Sequence, residues 1–347
     1  MLRTRRHSNG APLFLSRSMG VTFSFKPFFA TLWSSSLRAT NVKPIRSRPL
    51  KERGGGRWRD EKRRRPPLTR TNDGKDVPQL AGEGVYGIHS VLQVLASGHR
   101  DTHALYVKEE RFPSDEHYAQ KKNVANVRTL ERIKELAKIN GVEIYKTSKW
   151  MLNHITGDKP HQGVVLDAAS IQLKEFVPAT PSVFTKSTRA PVILVLDEIH
   201  DPQNLGAILR SAHFLGCTAI VVSDQNSAPL SPAVSRASVG ALEVLVANDK
   251  LLKARNLHEI LVVSGDLGWR IVGASSGPNS ITSSKLSDCT QPTILVMGNE
   301  HRGLRKGIRQ CCQEIVTIPG QATDDDTCVD SLNVSVASAI LLYELLR

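Results

Sequence analysis

The stretch LDEIHDPQNLGAILRSAHFLG, residues 196–216, decides the fold class. The apolar run VILVL (192–196) ends in a polar turn, and a helical pattern follows at once, with Asp201 suited to the N-cap and Pro202 to the first helical position. A buried strand that leads directly into a helix is the repeating unit of a parallel α/β sheet. We therefore predict a parallel sheet covered by helices on both faces.

The helix of this stretch has one apolar face. At 100° per residue, its core-facing positions are Leu205, Ile208, Leu209, Ala212 and Leu215. Gly206 and Arg210 lie on the opposite side, about 40° apart on the helical wheel. We predict that Arg210 stands beside uncovered backbone that a phosphate can approach, and the alternative is a surface arginine paired with a nearby acid.

Composition and charge limit the function. The chain has 347 residues, 40% of them hydrophobic, which fits two globular domains of ordinary size, and it has no apolar run of membrane-spanning length. The net charge of +13 is concentrated near the N-terminus, since residues 1–77 have 19 basic and 5 acidic side chains. Residues 78–347 have 27 basic and 28 acidic side chains. Any RNA-binding surface of the folded part must therefore be a local patch.

The N-terminal segment has the composition of a targeting signal. Residues 1–45 are rich in Arg and Ser and contain no acidic residue, which predicts an organelle transit peptide. Residues 46–84 are predicted to be a disordered basic segment. A basic tail that grips the RNA backbone is the alternative for this region.

Helical and strand patterns alternate in two blocks. Residues 85–173 have three helical patterns and three strands, and the Pro-, Ser- and Thr-rich segment 174–190 is predicted to be a linker to residues 191–347. The strands predicted in the second block are VILVL (192–196), AIVV (219–222), EVLVA (243–247), ILVVS (260–264), TILVM (293–297) and EIVTI (314–318).

Three loops follow strands of the second block, where ligands of parallel sheets bind. The first contains Asn204; the second, GNEHRGL, has Gly298 for a close backbone approach and Glu300 at the start of a helix. The third leads into SLNVSVASAILLYELL (331–346), an apolar helix with a stripe of serines, Ser331, Ser335 and Ser338. Near its start, Asn333 can both donate and accept a hydrogen bond.

The five cysteines predict neither a zinc site nor disulfide bonds. None of them has the C-x-x-C spacing or a neighbouring histidine pattern that a structural zinc site needs. Their odd number fits a reducing compartment, and Cys217 lies in an apolar run, which favours a small core residue.

Taken together, these segments resemble a known family. DEIHDPQNLGAILRSAHFLG, ASVGALE, VMGNEHRGL and the C-terminal IPG and SLNVSVASAILLYE, in that order, are similar to the motifs of the SpoU/TrmH family of RNA ribose 2′-O-methyltransferases over the whole second block. The first block, with YGIHSVLQVL (86–95) and HQGVVLDA (161–168), resembles the small α/β RNA-binding domain of ribosomal L30e-like type in the RlmB-like, rRNA-directed branch.

The resemblance implies a fold and a set of site residues. The fold is a SPOUT α/β parallel sheet with a C-terminal trefoil knot, and the family works as a homodimer. The implied catalytic residues are Arg210, Asn204, Glu300 and Asn333. S-adenosylmethionine is the implied cofactor, without a metal, and the implied binding residues are Met297, Gly298, Asn299, Ile318, Pro319, Ser331, Leu332 and Asn333. Gly206 is expected to leave space beside Arg210 for a ribose phosphate.

The implied function is methylation of a guanosine ribose in mitochondrial large-subunit rRNA, in the matrix, with no membrane partner. A guanidinium is rarely neutral, so we expect Arg210 to stabilise the developing oxyanion rather than to remove the proton. A tRNA methyltransferase and an inactive rRNA-binding assembly factor are the alternatives.

The chain departs from the family pattern at two places. His301 replaces a glycine, so a local backbone adjustment is expected there. Gly320 replaces a methionine, and the acidic segment 321–330 that follows it is expected to lie away from the RNA.

Overall fold

The computed structural model describes residues 67–70, 76–109, 123–184, 189–277, 279–287, 291–320 and 331–347. The predicted transit peptide, residues 1–45, lies outside this part of the chain. Among the described residues, no helix is both long enough and apolar enough to cross a lipid bilayer.

Strands and helices alternate along most of the chain. The first domain contains β1 (Leu68–Arg70), β2 (Asp76–Pro78), β3 (Glu83–Tyr86), α1 (Ile88–Ser97), β4 (Thr102–Lys108), α2 (Asn123–Ile139), β5 (Glu143–Thr147), α3 (Lys149–Thr156) and β6 (Val164–Ala168). The second contains β7 (Val192–Leu196), α4 (Pro202–Leu215), β8 (Ala219–Ser223), α5 (Pro232–Ala237), α6 (Ala241–Ala247), β9 (Leu251–Ala254), α7 (Leu257–Asp266), β10 (Arg270–Ala274), β11 (Ile281–Thr282), β12 (Thr293–Met297), α8 (Lys306–Cys311), β13 (Glu314–Thr317) and α9 (Val334–Leu346).

The first domain is a mixed four-stranded sheet in the order β3-β6-β4-β5, with β4 and β5 parallel and the other pairs antiparallel. The prediction of disorder over residues 46–84 is wrong for its last part, because β1 and β2 form an antiparallel pair and β3 begins at Glu83. Val77 is buried, and the main-chain N–H groups of Ala81 and Gly82 donate to the Asp167 carboxylate. Tertiary contacts thus order a segment whose composition alone favours disorder.

The second domain confirms the predicted parallel sheet. Among its described residues, seven strands lie in the order β11-β13-β10-β12-β7-β8-β9, and every neighbouring pair is parallel. Along β7, Val192, Leu194 and Leu196 enter one apolar core, while Ile193 and Val195 enter the core on the opposite face. Both faces are therefore covered, as a continuous apolar strand requires.

Two predicted strands are wrong. EVLVA (243–247) lies in helix α6 and ILVVS (260–264) in helix α7. In α7 the buried residues are Leu257, Leu261 and Ser264, which have helical spacing, and the Asn256 side chain caps the helix by accepting from the N–H of Glu259. A short apolar run does not by itself separate a strand from a buried helix.

The strands β9, β10 and β11 were missed because their sequences, LLKA, RIVGA and IT, are short or carry a charged residue. Arg270 is buried at the start of β10, where its Nε and Nη2 donate to the Glu314 carboxylate at 2.7 Å each. The pairing of this arginine, which the linear pattern does not show, allows a charged residue inside the sheet.

The segment predicted as a linker, 174–190, lies against the second domain over its described residues. Phe176 is buried in the core beneath the sheet. The buried Trp269 donates from Nε1 to the carbonyl oxygen of Ala179 at 2.8 Å, and its ring meets that of Phe184 edge to face. This segment is part of the second domain's packing as well as a connection.

The C-terminal helix α9 packs against α4. It begins at Val334 with Asn333 as its N-cap, so Ser331 precedes the helix instead of joining a serine stripe. Ser338 is fully buried and donates to the carbonyl oxygen of Val334 at 2.7 Å. The chain reaches α9 through residues 321–330, which lie outside the described residues, so the trefoil knot stays a prediction.

Candidate active site

The loops that follow β7 and β12 meet at the carboxyl edge of the sheet. These strands are neighbours although about one hundred residues separate them. After β7 the chain continues to β8 on one side of the pair, and after β12 it continues to β13 on the other side. Such a switch point opens a crevice where ligands bind. The first two predicted site loops are therefore adjacent.

An ion pair between a buried aspartate and an exposed arginine ties these two loops together. Asp197 is fully buried and accepts from Arg305 Nε at 3.0 Å and from Arg305 Nη2 at 2.6 Å, while Arg305 Nη1 lies 3.2 Å from Glu198 Oε1. Hydrogen bonding to Asp197 is the main reason that the pKa of Arg305 is raised. Asp197 and Arg305 are not among the predicted site residues, because their only signal in the sequence is a charged residue next to each predicted loop.

Glu300 accepts hydrogen bonds from the first loop. Its carboxylate oxygens accept from the main-chain N–H groups of His200 at 3.3 Å and Asp201 at 3.2 Å, and from Asn204 Nδ2 at 3.4 Å. Burial raises the pKa of the Glu300 carboxyl, but these hydrogen bonds and that of its own N–H outweigh burial and place the pKa below its ordinary value. Glu300 is therefore an ionised acceptor.

Asn204 connects Glu300 to the C-terminal helix. Asn333 Nδ2 donates to Asn204 Oδ1 at 3.0 Å, and Asn333 Oδ1 accepts from the N–H and hydroxyl of Ser335 at 2.9 and 2.6 Å. Because an ionised carboxylate only accepts, it fixes the orientation of the Asn204 amide, which in turn fixes that of Asn333. The structure thus brings three of the four predicted catalytic residues into one hydrogen-bonded chain.

The second loop is a tight turn. A Cβ on Gly298 would overlap the main chain of Gly303 and Leu304. The backbone that approaches Gly298 closely is therefore that of the same turn. Gly303, with φ of +64°, takes the left-handed position, and His301 has a negative φ. Asn299 Oδ1 closes the turn by accepting from the N–H of His301 at 3.0 Å. The adjustment expected at His301 is therefore unnecessary.

Gly206 has a different role from the one predicted. A Cβ at this position would lie 2.5 Å from Ala237 Cβ and 2.9 Å from the Ser238 nitrogen. Gly206 is buried where α4 packs on α5, so the expectation that it leaves space for a ribose phosphate is wrong. One turn further on, Arg210 is exposed and makes no hydrogen bond or ion pair with a described residue.

The predicted cofactor residues divide into buried and exposed groups. Met297, Gly298 and Asn299 are buried, and Asn299 Nδ2 donates to the carbonyl oxygen of Glu198 at 2.8 Å. The exposed or half-buried group consists of Ile318, Pro319, Ser331, Leu332 and Asn333. Within the described part of the chain, the main-chain polar groups of Gly298 and Leu332 make no hydrogen bond. Apolar side chains therefore lie on the third loop. Main-chain groups without a hydrogen-bond partner lie on the third loop, at Leu332, and at the start of the second loop, at Gly298.

Comparisons with known proteins agree with this geometry. The profile of the SpoU rRNA Methylase family matches residues 191–343, and the profile described as RNA 2′-O ribose methyltransferase substrate binding matches residues 85–173. The chain is 32% identical to "rRNA methyltransferase 1, mitochondrial" of Schizosaccharomyces pombe over 80% of its own length and 99% of that protein. It is 31% identical to "23S rRNA (guanosine-2′-O-)-methyltransferase RlmB" of Coxiella burnetii over 76% of its length and 95% of that protein.

A solved structure shares the fold. The AdoMet-bound rRNA methyltransferase from Sinorhizobium meliloti superposes with a TM-score of 0.56 over 76% of this chain and 86% of that chain, at 21% identity. The resemblance inferred from the motifs is thereby confirmed. The matches over both domains show that the chain belongs to the SpoU rRNA methylase family.

Proposed function

We propose that this protein is an S-adenosylmethionine-dependent rRNA methyltransferase that methylates the ribose 2′-hydroxyl of a guanosine in mitochondrial large-subunit rRNA. The observation that carries the proposal is the hydrogen-bonded chain from Glu300 through Asn204 to Asn333, which joins all three motif loops at the switch point of the sheet. The names of the relatives from Schizosaccharomyces pombe and Coxiella burnetii support the guanosine, the rRNA and the mitochondrial setting.

The exposed residues of the third loop fit the cofactor. Leu332 is 50% exposed and Ile318 is half-buried, so both offer apolar surface to an adenine ring. The free main-chain groups of Gly298 and Leu332 offer hydrogen bonds to its polar edges. When bound, S-adenosylmethionine supplies an electrophilic methyl group and leaves as a neutral thioether.

Arg210 is the residue that we assign to the reacting oxygen. A ribose 2′-hydroxyl must lose its proton as it attacks the methyl group, so negative charge develops on this oxygen. A guanidinium keeps its charge at neutral pH and cannot serve as a general base, whereas it can hold a phosphate and stabilise the oxyanion. The proton then leaves to water or to a phosphate oxygen.

We further propose an isologous homodimer built on α9 and α4. Val336 and Tyr343 of α9 are 47% and 55% exposed, and Phe214 of α4 is 85% exposed. Exposed apolar surface on two packed helices favours a second copy of the chain as its cover. Because Arg210 forms no hydrogen bond or ion pair with the Glu300 chain within the described part of one subunit, the dimer is also the arrangement in which the catalytic set can become complete.

No observation favours the alternatives of a tRNA substrate or an inactive assembly factor. His301 departs from the family pattern, but it is accommodated without a positive φ and therefore does not favour an inactive protein. We place the active enzyme in the mitochondrial matrix, with residues 85–173 as the RNA-binding domain and 191–347 as the methyltransferase domain.

Two measurements test the proposed function. Calorimetry of the purified protein with S-adenosylmethionine should show saturable binding. Mapping of ribose methylation across the organellar rRNA, with and without the gene, should show one guanosine of the large-subunit rRNA that loses its methyl group. Absence of cofactor binding, or an unchanged methylation map, would contradict the proposal.

A further inference from the structure

A basic pocket lies on the first domain, outside the motif loops. It has a volume of about 460 Å³, and Lys108, Lys149 and Lys159 line it together with one carboxylate, that of Asp158. The three lysines are exposed and form no ion pair with any residue that the structure describes. The pocket therefore carries an uncompensated positive charge.

The neutral His161 holds the pocket in shape. It is buried, its Nδ1 accepts from the N–H of Gly163 at 3.0 Å, and its Nε2 lies 2.9 Å from Asn153 Oδ1. Burial lowers the pKa of His161, with a further contribution from the positive charges of Lys149 and Lys108. Its two hydrogen bonds need the neutral imidazole, so His161 shapes the pocket without adding charge.

The rim of the pocket reaches the second domain at Arg236. Arg236 Nε lies 3.4 Å from the carbonyl oxygen of Pro160, a pocket residue. The Arg236 side chain also lies over Gly87, because a Cβ built there would be 2.7 Å from Arg236 Cδ. Gln162, on the same rim, accepts from the N–H of Ile88 at 3.3 Å. Arg236 thus spans the space between the pocket and the start of α1.

His89 and Arg210 continue the row of basic groups. His89 is exposed in the first turn of α1, two residues after Gly87, and its carbonyl oxygen would lie 3.0 Å from a Cβ on Gly240 of the second domain. Arg236 lies on α5 and Arg210 on α4, and these two helices pack against each other. Partial burial lowers the pKa of His89, and the positive charges of Arg236 and Arg210 lower it further. Neither His89 nor Arg210 has a side-chain hydrogen bond to a described residue.

A buried contact keeps this row in fixed positions. Glu243 of α6 is fully buried and accepts from Arg100 Nη1 at 3.2 Å and from Ser235 Oγ at 2.7 Å. Ser90 Oγ of α1 donates to the carbonyl oxygen of Ser235 at 3.0 Å. The two domains are therefore docked where the basic groups cross from one to the other.

We infer that the target RNA strand reaches Arg210 along a basic track formed by Lys108, Lys149, Lys159, Arg236 and His89. The ligand chemistry is that of successive phosphodiester groups of a single strand, which the charges of the three lysines and Arg236 attract without reading sequence, while the neutral ring of His89 adds a hydrogen-bonding group but no charge. The inference rests on the proposed function, because it assumes an RNA substrate. The track would deliver one nucleotide to Arg210 while the preceding phosphates occupy the lysine pocket.

The salt dependence of RNA binding tests the track. We would measure the affinity of the full chain for a short fluorescein-labelled single-stranded RNA over a range of KCl concentrations, for wild type, Lys149→Ala with Lys159→Ala, and Arg236→Gln. The slope of log affinity against log salt should become shallower by about 1 for each lost phosphate contact. Lys174→Ala with Lys250→Ala removes the same charge from an exposed site on the second domain and should leave the slope unchanged.

Methylation of a large-subunit rRNA transcript provides the second readout. The double lysine variant should raise KM and leave kcat within about twofold, because it acts on binding and not at the reacting oxygen. If its salt slope and KM equal those of the Lys174 and Lys250 control, the track is wrong while a methylating wild type keeps the proposed function. If the wild-type protein methylates no transcript although the track variants have a shallower salt slope than wild type, then the proposed function is wrong and the track remains an RNA-binding surface.

Discussion

Two carboxylates, Glu243 and Glu300, join distant parts of the chain in opposite ways. Glu243 is fully buried, and its partners are Arg100, Ser235 and, at 3.1 Å, the ring of His99. Glu300 is partly exposed, and within the described residues it accepts hydrogen bonds from neutral amide groups and forms no ion pair.

The difference follows from solvation. A charge away from water is costly unless it is paired or hydrogen-bonded, and the buried Glu243 is paired with Arg100, which neutralises the positive charge of that arginine and links the two domains. A partly exposed carboxylate is satisfied by amides, so Glu300 aligns three loops and leaves the guanidinium of Arg210 unpaired. We conclude that the domain junction serves architecture and the switch point serves chemistry.

Glu243→Ala should have the largest effect on stability. Removing one partner of a buried ion pair leaves the other without compensation, and the expected cost is about 3–5 kcal/mol in the free energy of unfolding. Urea denaturation measures it. The control is Glu175→Ala, whose carboxylate pairs with Arg255 on the surface and should cost less than about 1 kcal/mol. Equal losses in the two variants would remove the distinction between the junction and the surface.

Arg210→Ala should show the reverse behaviour, a loss of rate without a loss of stability. Removing one group that stabilises an oxyanion costs about 10²- to 10³-fold in kcat, and Arg210 has no hydrogen bond in the described structure whose loss would affect folding. Arg210→Lys should be almost as slow, because lysine keeps the charge but not the planar fork. Single-turnover methylation at saturating RNA and cofactor measures both variants. Near-normal turnover of the lysine variant would refute this role.

How far the sequence predicts the molecule depends on where the determining contacts lie. The strands at 192–196 and 293–297 and the loops after them were predicted because their patterns are local. The helix at 257–266 was mistaken for a strand, since only its neighbours show which of its apolar residues face the core. The partner of Gly206 is a helix that begins about 25 residues later, and a single helical wheel cannot show it.

The site was predictable to the same degree. Residue types and loop positions indicated Asn204, Glu300 and Asn333, and the family resemblance gave them roles. Asp197 and Arg305 were missed because their pairing spans 108 residues of sequence. The two domain-joining residues, Arg100 and Glu243, lie 143 residues apart and had no local signal either.

Gly206→Ala tests whether the glycine in α4 is needed for helix packing or leaves space for the substrate. The added methyl would lie 2.5 Å from Ala237 Cβ, so we expect a loss of about 1–3 kcal/mol in the free energy of unfolding from overpacking. Gly265→Ala, in helix α7, is the matched control, because a Cβ there meets its nearest atoms at 3.9 Å. If Gly206→Ala lowers kcat while its unfolding curve matches that of the control, then Gly206 makes room for substrate after all.

Glu300→Gln should have a small effect on stability and the most specific pH dependence. Because the pKa of Glu300 in the folded state lies below the ordinary value of 4.5, ionised Glu300 stabilises the fold fully above that value. This contribution is lost as the pH falls through the lower, folded pKa. Glutamine is a weaker acceptor, so the variant should lose about 1 kcal/mol at pH 7.

The difference between wild type and Glu300→Gln should therefore shrink as the pH falls below 4.5, because protonated glutamic acid and glutamine are both neutral. Urea denaturation of both proteins at neutral and acidic pH measures this. A difference that stays constant with pH would mean that the charge of Glu300 contributes nothing to aligning the loops. The alignment would then come from shape alone, and the contrast with the buried Glu243 would be one of exposure instead of electrostatic role.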